Sequence, residues 1–463
     1  MNLSQKIQQF QNQLIAPVDA SSLGLFRILF GGLMVYQSFC VFNTAFIDEN
    51  YIKAYFHFPY TLFDVFNFEK LPPNLMRLLF LAMGLSSIGI LTGLCFRTSA
   101  VVFFVTFLYA FLFEKGLYHA HYYLILLIVF LLLISHAHRW PALNTLRLKK
   151  IKESTIPFWQ LFLLRAQFII VYFYAAFNKI DYDWLLRAQP LQAVLATKQF
   201  LGHPLTETWI GYMFSWGGFL LDLTIFILLF LGRYRLVALG CILIFNLTNH
   251  WIFSDINTFP FLMIASMTLF VDPDAPKKFI ETLHSRIKIP RVPVDLPAIS
   301  QSQTLDRMNP VYRRFIFGFV VVYLAVQILV PLRRFLYPSN TNWTMEGVRF
   351  AWRLKMNNKK VKYTIVARDA ETGKTYSLDH YQEVLTPYQL WLDATPDMLV
   401  QYAHYLKKEA EYSGIKNPSI YVHAEASLNS RPFQPFIDER VNLADVDYPL
   451  FSHASWIIPL RKP

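Results

Sequence analysis

Charge is scarce in this chain, and cysteine is scarcer. Charged residues fill 16% of the 463 positions against 54% for hydrophobic ones, which excludes an ordinary soluble domain. Cys40, Cys95 and Cys241 stand singly, in or beside apolar runs. That pattern offers neither a disulfide framework nor metal-type spacing. The Gln-rich N-terminus shows no short apolar core with a cleavage site, so the first long apolar run is expected to serve as the insertion signal. A net charge of +12 does not call for nucleic acid, because basic loops on the cytoplasmic side of a membrane protein give the same excess.

What the chain has is apolar runs long enough for membrane spans. About nine are expected: Leu23–Phe42, Leu75–Leu94, Ser99–Phe113, His121–Ser135, Phe158–Phe177, Met213–Leu231, Leu236–Phe253, Asn257–Val271 and Phe315–Leu332. Ahead of them, Leu3, Ile7, Phe10 and Leu14 recur at helical spacing, predicting a short amphipathic helix on the bilayer surface, ended by Pro17. Arg147, Lys149, Lys150 and Lys152, the stretch from Lys277 to Arg314, and Arg97, Arg233 and Arg235 all fall on one side if the N-terminus shares it. By the positive-inside rule that side is cytoplasmic, with residues 272–311 as a linker there. Residues 1–335 then form a helical membrane domain.

From 336 to 463 the pattern changes. Lys362–Ala367 alternates like a strand, Asp369–Lys374 reads as a turn, Pro396–Ser413 as a helix and Ser419–Leu428 as a second strand. The fold class is therefore a polytopic α-helical membrane protein with a C-terminal extracytoplasmic α+β domain.

Polar groups within spans carry the functional argument, because unpaired burial in hydrocarbon is costly. Arg27, Arg165 and Asp222 predict an intramembrane network in which Asp222 pairs with one of the arginines. Lys179 closes the fifth span ahead of Ile180-Asp181-Tyr182-Asp183-Trp184. It either snorkels to the headgroups or, desolvated between a helix end and an aromatic loop, serves as a base. His121 opens the fourth span at the same outer face and can orient a hydroxyl or pass a proton. His250 reads either as cavity lining or as helix-packing glue. No three-ligand metal set is spaced in the sequence. Aromatic crowding over 103–113 and 168–177 suits lipid-facing bulk and also a flat, quinone-like ligand.

Several motifs in order resemble one family: Pro17-Val18-Asp19, Leu23 to Gly31, His57-Phe58-Pro59-Tyr60, and Leu163 to Phe173 leading to Lys179. Asn342-Trp343-Thr344, Phe350-Ala351-Trp352-Arg353, Ser427 to Arg431 and Asp438-Glu439-Arg440 continue the series. The chain resembles the vitamin K-dependent γ-glutamyl carboxylases and their bacterial relatives with a horizontally transferred transmembrane domain. The resemblance implies that Lys179, supported by His121, deprotonates a reduced naphthoquinone. Oxygenation to the epoxide then yields a strong base that removes a γ-proton from a protein glutamate, which takes up CO2. It implies a glutamate-containing protein substrate held by Trp352, Arg431 and Arg440, a bacterial inner membrane location and no metal.

The sequence departs from the animal enzymes at Ala120, Asn178, Asn246, Val348 and Asn357. Phe56 and His404 stand where their paired cysteines align. Asn178 and Asn246 join His250 as candidate quinone-lining residues. The rival readings are a quinol-epoxidising enzyme without peptide carboxylation, a membrane acyltransferase using His121, and a non-enzymatic scaffold in which Lys179 only anchors a helix.

Overall fold

The computed structural model describes residues 2–60, 70–140, 154–200, 202–253, 256–287, 310–378, 385–389 and 395–461. The basic segment from Arg147 to Lys152 and residues 288–309 of the expected linker lie outside them. In lipid a backbone must satisfy its own polar groups, and the apolar runs accordingly form helices. Helix α1 (Leu3–Ile15) opens on a capping box between Asn2 and Gln5, leaves Leu3 and Ile7 exposed and buries Leu14 and Ile15. It packs Phe10 edge-on to Phe162 and Phe317. The following strand β1 (Pro17–Asp19) pairs antiparallel with β2 (Thr155–Pro157), which joins the entry of the chain to the start of its fifth long segment.

Seven described helices, rather than nine, are long and apolar enough to cross a membrane. They are α2 (Ser21–Asn43), α3 (Pro73–Thr92), α4 (Phe96–Phe113), α6 (Phe158–Asn178), α7 (Thr208–Leu231), α8 (Arg235–Ile252) and α11 (Pro310–Leu332). The expected fourth span is the short helix α5 (Ala120–Leu133), and the eighth is a broken stretch beginning with α9 (Phe259–Ala265). The expected linker contains a further helix, α10 (Ala275–Ile287). Helices α2 and α3 approach closely at Gly31, where a Cβ would meet the Leu91 backbone at 2.5 Å. Small residues permit this kind of contact.

The expected pairing of Asp222 with an arginine does not form. Arg27 donates from Nη1 to the carbonyls of Ile90 (3.0 Å) and Leu91 (3.2 Å), in the last turn of α3. Arg165 donates to Leu269 (2.5 Å) and Val271 (3.1 Å) in the same manner. The last carbonyls of a helix have no partner within it and form the negative end of its dipole. Each arginine thus answers a helix end.

The C-terminal domain carries a four-stranded antiparallel sheet, ordered β4 (Thr375–Ser377), β3 (Lys359–Arg368), β5 (Ser419–Leu428) and β6 (Gln434–Pro435). The central pair runs in register from Lys359 opposite Leu428 to Arg368 opposite Ser419. Alternation places Ile420, Val422, Ala424 and Ala426 in the core, where α12 (Pro396–Tyr412) adds Leu399, Tyr402, Ala403 and Leu406.

This domain grips the membrane part. Phe58, from the loop after α2, sits in its core, and Phe56 lies 4.7 Å from the Tyr405 ring. Gln389 donates to the Phe56 carbonyl at 2.7 Å and to Glu114 at 2.9 Å. Asp397 of α12 pairs with Lys115 at 3.0 Å and with Arg349 at 2.7 Å. Burial raises the pKa of the Asp397 carboxyl, but the two cations outweigh it and hold it down at about 2.

A buried charge stripped of its partner is expensive, so Asp397→Asn should destabilise the protein by about 3–5 kcal/mol. Thermal unfolding of the detergent-solubilised chain measures this. Because the folded-state pKa is depressed, the stability from this group is fully present above the ordinary carboxylate value of about 4. It is lost as pH falls from there through about 2. Asp397→Asn should abolish that acid-side component.

Candidate active site

The last turn of α6 ends at Asn178, and Lys179 caps it with its amide donating to the Ala176 carbonyl. The chain then turns. Asp181 accepts from the amides of Asp183 (3.0 Å) and Trp184 (3.4 Å), starting the helix Tyr182–Arg187. Trp184 is fixed from both ends: its indole N–H donates to the Ser215 carbonyl at 2.9 Å, and its own carbonyl accepts from the Ser215 hydroxyl. Lys179 is therefore walled in, 6% exposed, with Nζ 5.1 Å from the Trp184 ring and 5.4 Å from that of Phe245. Its partner is Asp222, more than halfway along α7 and 1% exposed. The sequence offered both residues but not the pair, since it led to an arginine as the partner of Asp222.

Lys179 and Asp222 line a chamber of about 760 Å³ between the helices and the C-terminal domain. That is the size of a small-molecule site, and its walls are largely apolar, including Val171, Phe214, Leu221, Phe245 and Phe253. His121 joins them from the start of α5, 4% exposed, its ring against Tyr122 and His119. Its Nε2 is buried without a hydrogen-bond partner among the described residues. A buried imidazole nitrogen left unsatisfied is costly, and a ligand hydroxyl would answer it. Asn246 also lines the chamber, held by the Tyr172 hydroxyl (3.3 Å) and the Ile242 carbonyl (2.8 Å). These groups together suit a flat, apolar ligand bearing an acidic hydroxyl.

The remaining candidates fall elsewhere. His250 is exposed and packs edge-on to Phe261. Asn178 donates to the carbonyls of Ala351 (2.8 Å) and Trp352 (3.0 Å), tying the helix end to the C-terminal domain. Trp352 is buried and stacked on Tyr123 at 5.1 Å. Arg431 pairs with Asp183 at 2.5 Å, and Asn429 and Arg187 also bind that carboxylate. Burial pushes the Asp183 pKa up, but these donors prevail and hold it below the usual range. Arg431 thereby anchors the turn carrying Trp184. Arg440 is 86% exposed and pairs with Asp438. Sequence reasoning gave no site role to Arg353 or Arg349, which line the chamber; the run from Trp352 to Lys355 was the available signal.

Residues 15–275 match the family model described as HTTM domain, and residues 312–463 match the one described as vitamin K-dependent gamma-carboxylase, lumenal domain. No solved structure gives a significant match.

Removing one member of a buried ion pair leaves an uncompensated charge, whereas an apolar pair of similar volume is tolerated. Asp222→Leu alone should cost about 3–5 kcal/mol, and Lys179→Met/Asp222→Leu should recover most of that. Thermal unfolding of the three proteins decides it.

Proposed function

The chain belongs to the HTTM and vitamin K-dependent gamma-carboxylase family, and from that premise we propose that it oxygenates reduced vitamin K to the epoxide and couples this to carboxylation of a protein glutamate. The observation that carries the reading is the enclosure of Lys179, Asp222 and the unsatisfied His121 Nε2 in one apolar chamber. When bound, reduced vitamin K supplies the oxygenation chemistry and, through it, a base stronger than any side chain.

The protein's part is positioning and proton handling. His121 Nε2 takes a hydrogen bond with a quinol hydroxyl and orients the ring. Asp222 Oδ2 draws the ammonium proton off Lys179, in an environment where a neutral pair competes with separated charges. The freed Nζ accepts the hydroxyl proton. Apolar walls and the overlying C-terminal domain exclude water, which would otherwise quench a strong base. Lys179 is the catalytic base, Asp222 its proton partner and His121 the orienting group. The C-terminal lumenal-type domain lies outside the cytoplasm. We further propose that the N-terminus is cytoplasmic, on the strength of the basic turns at Arg97, Arg233 and Arg235, and that the membrane is a bacterial inner membrane, as the resemblance to the bacterial relatives implies.

The test supplies purified chain with reduced vitamin K, oxygen, labelled bicarbonate and a glutamate-containing peptide, scoring epoxide and fixed label separately. Lys179→Arg keeps a cation opposite Asp222 but cannot give up its proton. It should stay folded and lose at least about 100-fold in epoxide formation, the lower end of what a general base contributes. Epoxidation at the wild-type rate by Lys179→Arg would sink the proposal.

A further inference from the structure

Arg353 lines the same chamber, and its hydrogen-bond partners among the described residues are neutral. Its Nε and Nη2 donate to Asn342 Oδ1 at 3.2 and 2.7 Å, and its Nη1 donates to Asn178 Oδ1 at 3.3 Å. Among the described residues none of its nitrogens is paired with a carboxylate. Asp181 and Arg334 act on it through space, in opposite directions. A guanidinium has five N–H groups, so these three bonds leave two. Burial, reinforced by Arg334 and only partly offset by Asp181, lowers its pKa to about 10.

The surrounding charge points the same way. Among the described lining residues, Lys115, Lys179, Arg349, Arg353 and Lys355 are cations and Asp222 is a carboxylate. The segment holding Arg353 is also fixed in unfavourable geometry. Met345, Phe350, Trp352 and Lys355 all take left-handed φ, between 53° and 66°. Such a backbone persists only where its surroundings over-determine it. Here the Phe350 amide donates to the Tyr118 hydroxyl at 2.8 Å, and Asn178 holds the next two carbonyls.

We infer that Arg353 is the carboxylate anchor of the chamber, receiving the side-chain carboxylate of the substrate glutamate on its two remaining N–H groups. This rests on the carboxylase reading for the identity of the acid. An Arg–carboxylate contact satisfies the guanidinium and fixes the orientation of the acid in one step. It also explains how a chamber lacking Arg431 and Arg440 can still recognise an acidic residue.

The experiment measures equilibrium binding of a short peptide with one glutamate, and of its glutamine counterpart, to the full chain in detergent. Wild type should prefer the glutamate peptide by about tenfold or more, as a hydrogen-bonded charge contact gives. Arg353→Gln should lose that preference while binding the glutamine peptide as wild type does, and Arg353→Lys should keep part of it. Equal weakening toward both peptides would mark a structural role and overturn the inference. So would a retained preference in Arg353→Gln, or no preference in wild type. Bicarbonate displacing the glutamate peptide at equal concentration would assign Arg353 to an inorganic anion, also against it. Epoxide formation by wild type and Lys179→Arg, measured in parallel, reports on the carboxylase reading independently.

Discussion

An ammonium and a carboxylate can share an apolar interior only if the rest of the protein encloses them and keeps them in contact. The Lys179–Asp222 pair imposes that condition on nearly everything around it. Helix α7 must lie against α6, the turn after Lys179 must fold back so that Trp184 covers the amine, and Ser215 must hold Trp184 in place. The C-terminal domain completes the enclosure: the Asn178 amide, adjacent to Lys179, is bonded to two of that domain's carbonyls. Enclosure of the amine and docking of the sheet domain are thus parts of one arrangement.

The two intramembrane arginines follow a different rule. Each sits where a helix runs out of partners for its carbonyls, and each supplies donors there. Pairing either with Asp222 would have left those carbonyls unanswered and Lys179 buried alone. The observed assignment gives Asp222 and Lys179 each other and gives each arginine carbonyl partners, which is what a low-dielectric interior favours.

Much of this was legible in the sequence. Apolar run length located the spans, alternation located β3 and β5, and the residue types of Lys179, His121 and Asp222 marked them as costly to bury. Span count was less legible, because hydropathy does not distinguish a full-length helix from the short α5 or the broken stretch at α9. Partnerships were illegible for a physical reason: which charge meets which depends on relative helix depth, and no one-dimensional pattern encodes it. Arg353 was hidden for a similar reason, as one of its partners, Asn178, comes from a distant part of the chain. Arg431 and Arg440 look alike in sequence, yet one braces a buried turn and the other faces solvent.

The seam between the two domains is closed by stacked rings, amide contacts and an ionic triad, with Phe56 over Tyr405 at its edge. All three thiols belong to the helical part and are free. The joint is therefore indifferent to the redox state of its surroundings, and reducing agents leave it nothing to cleave. Holding the two domains together therefore calls for no oxidative maturation step and no disulfide isomerase.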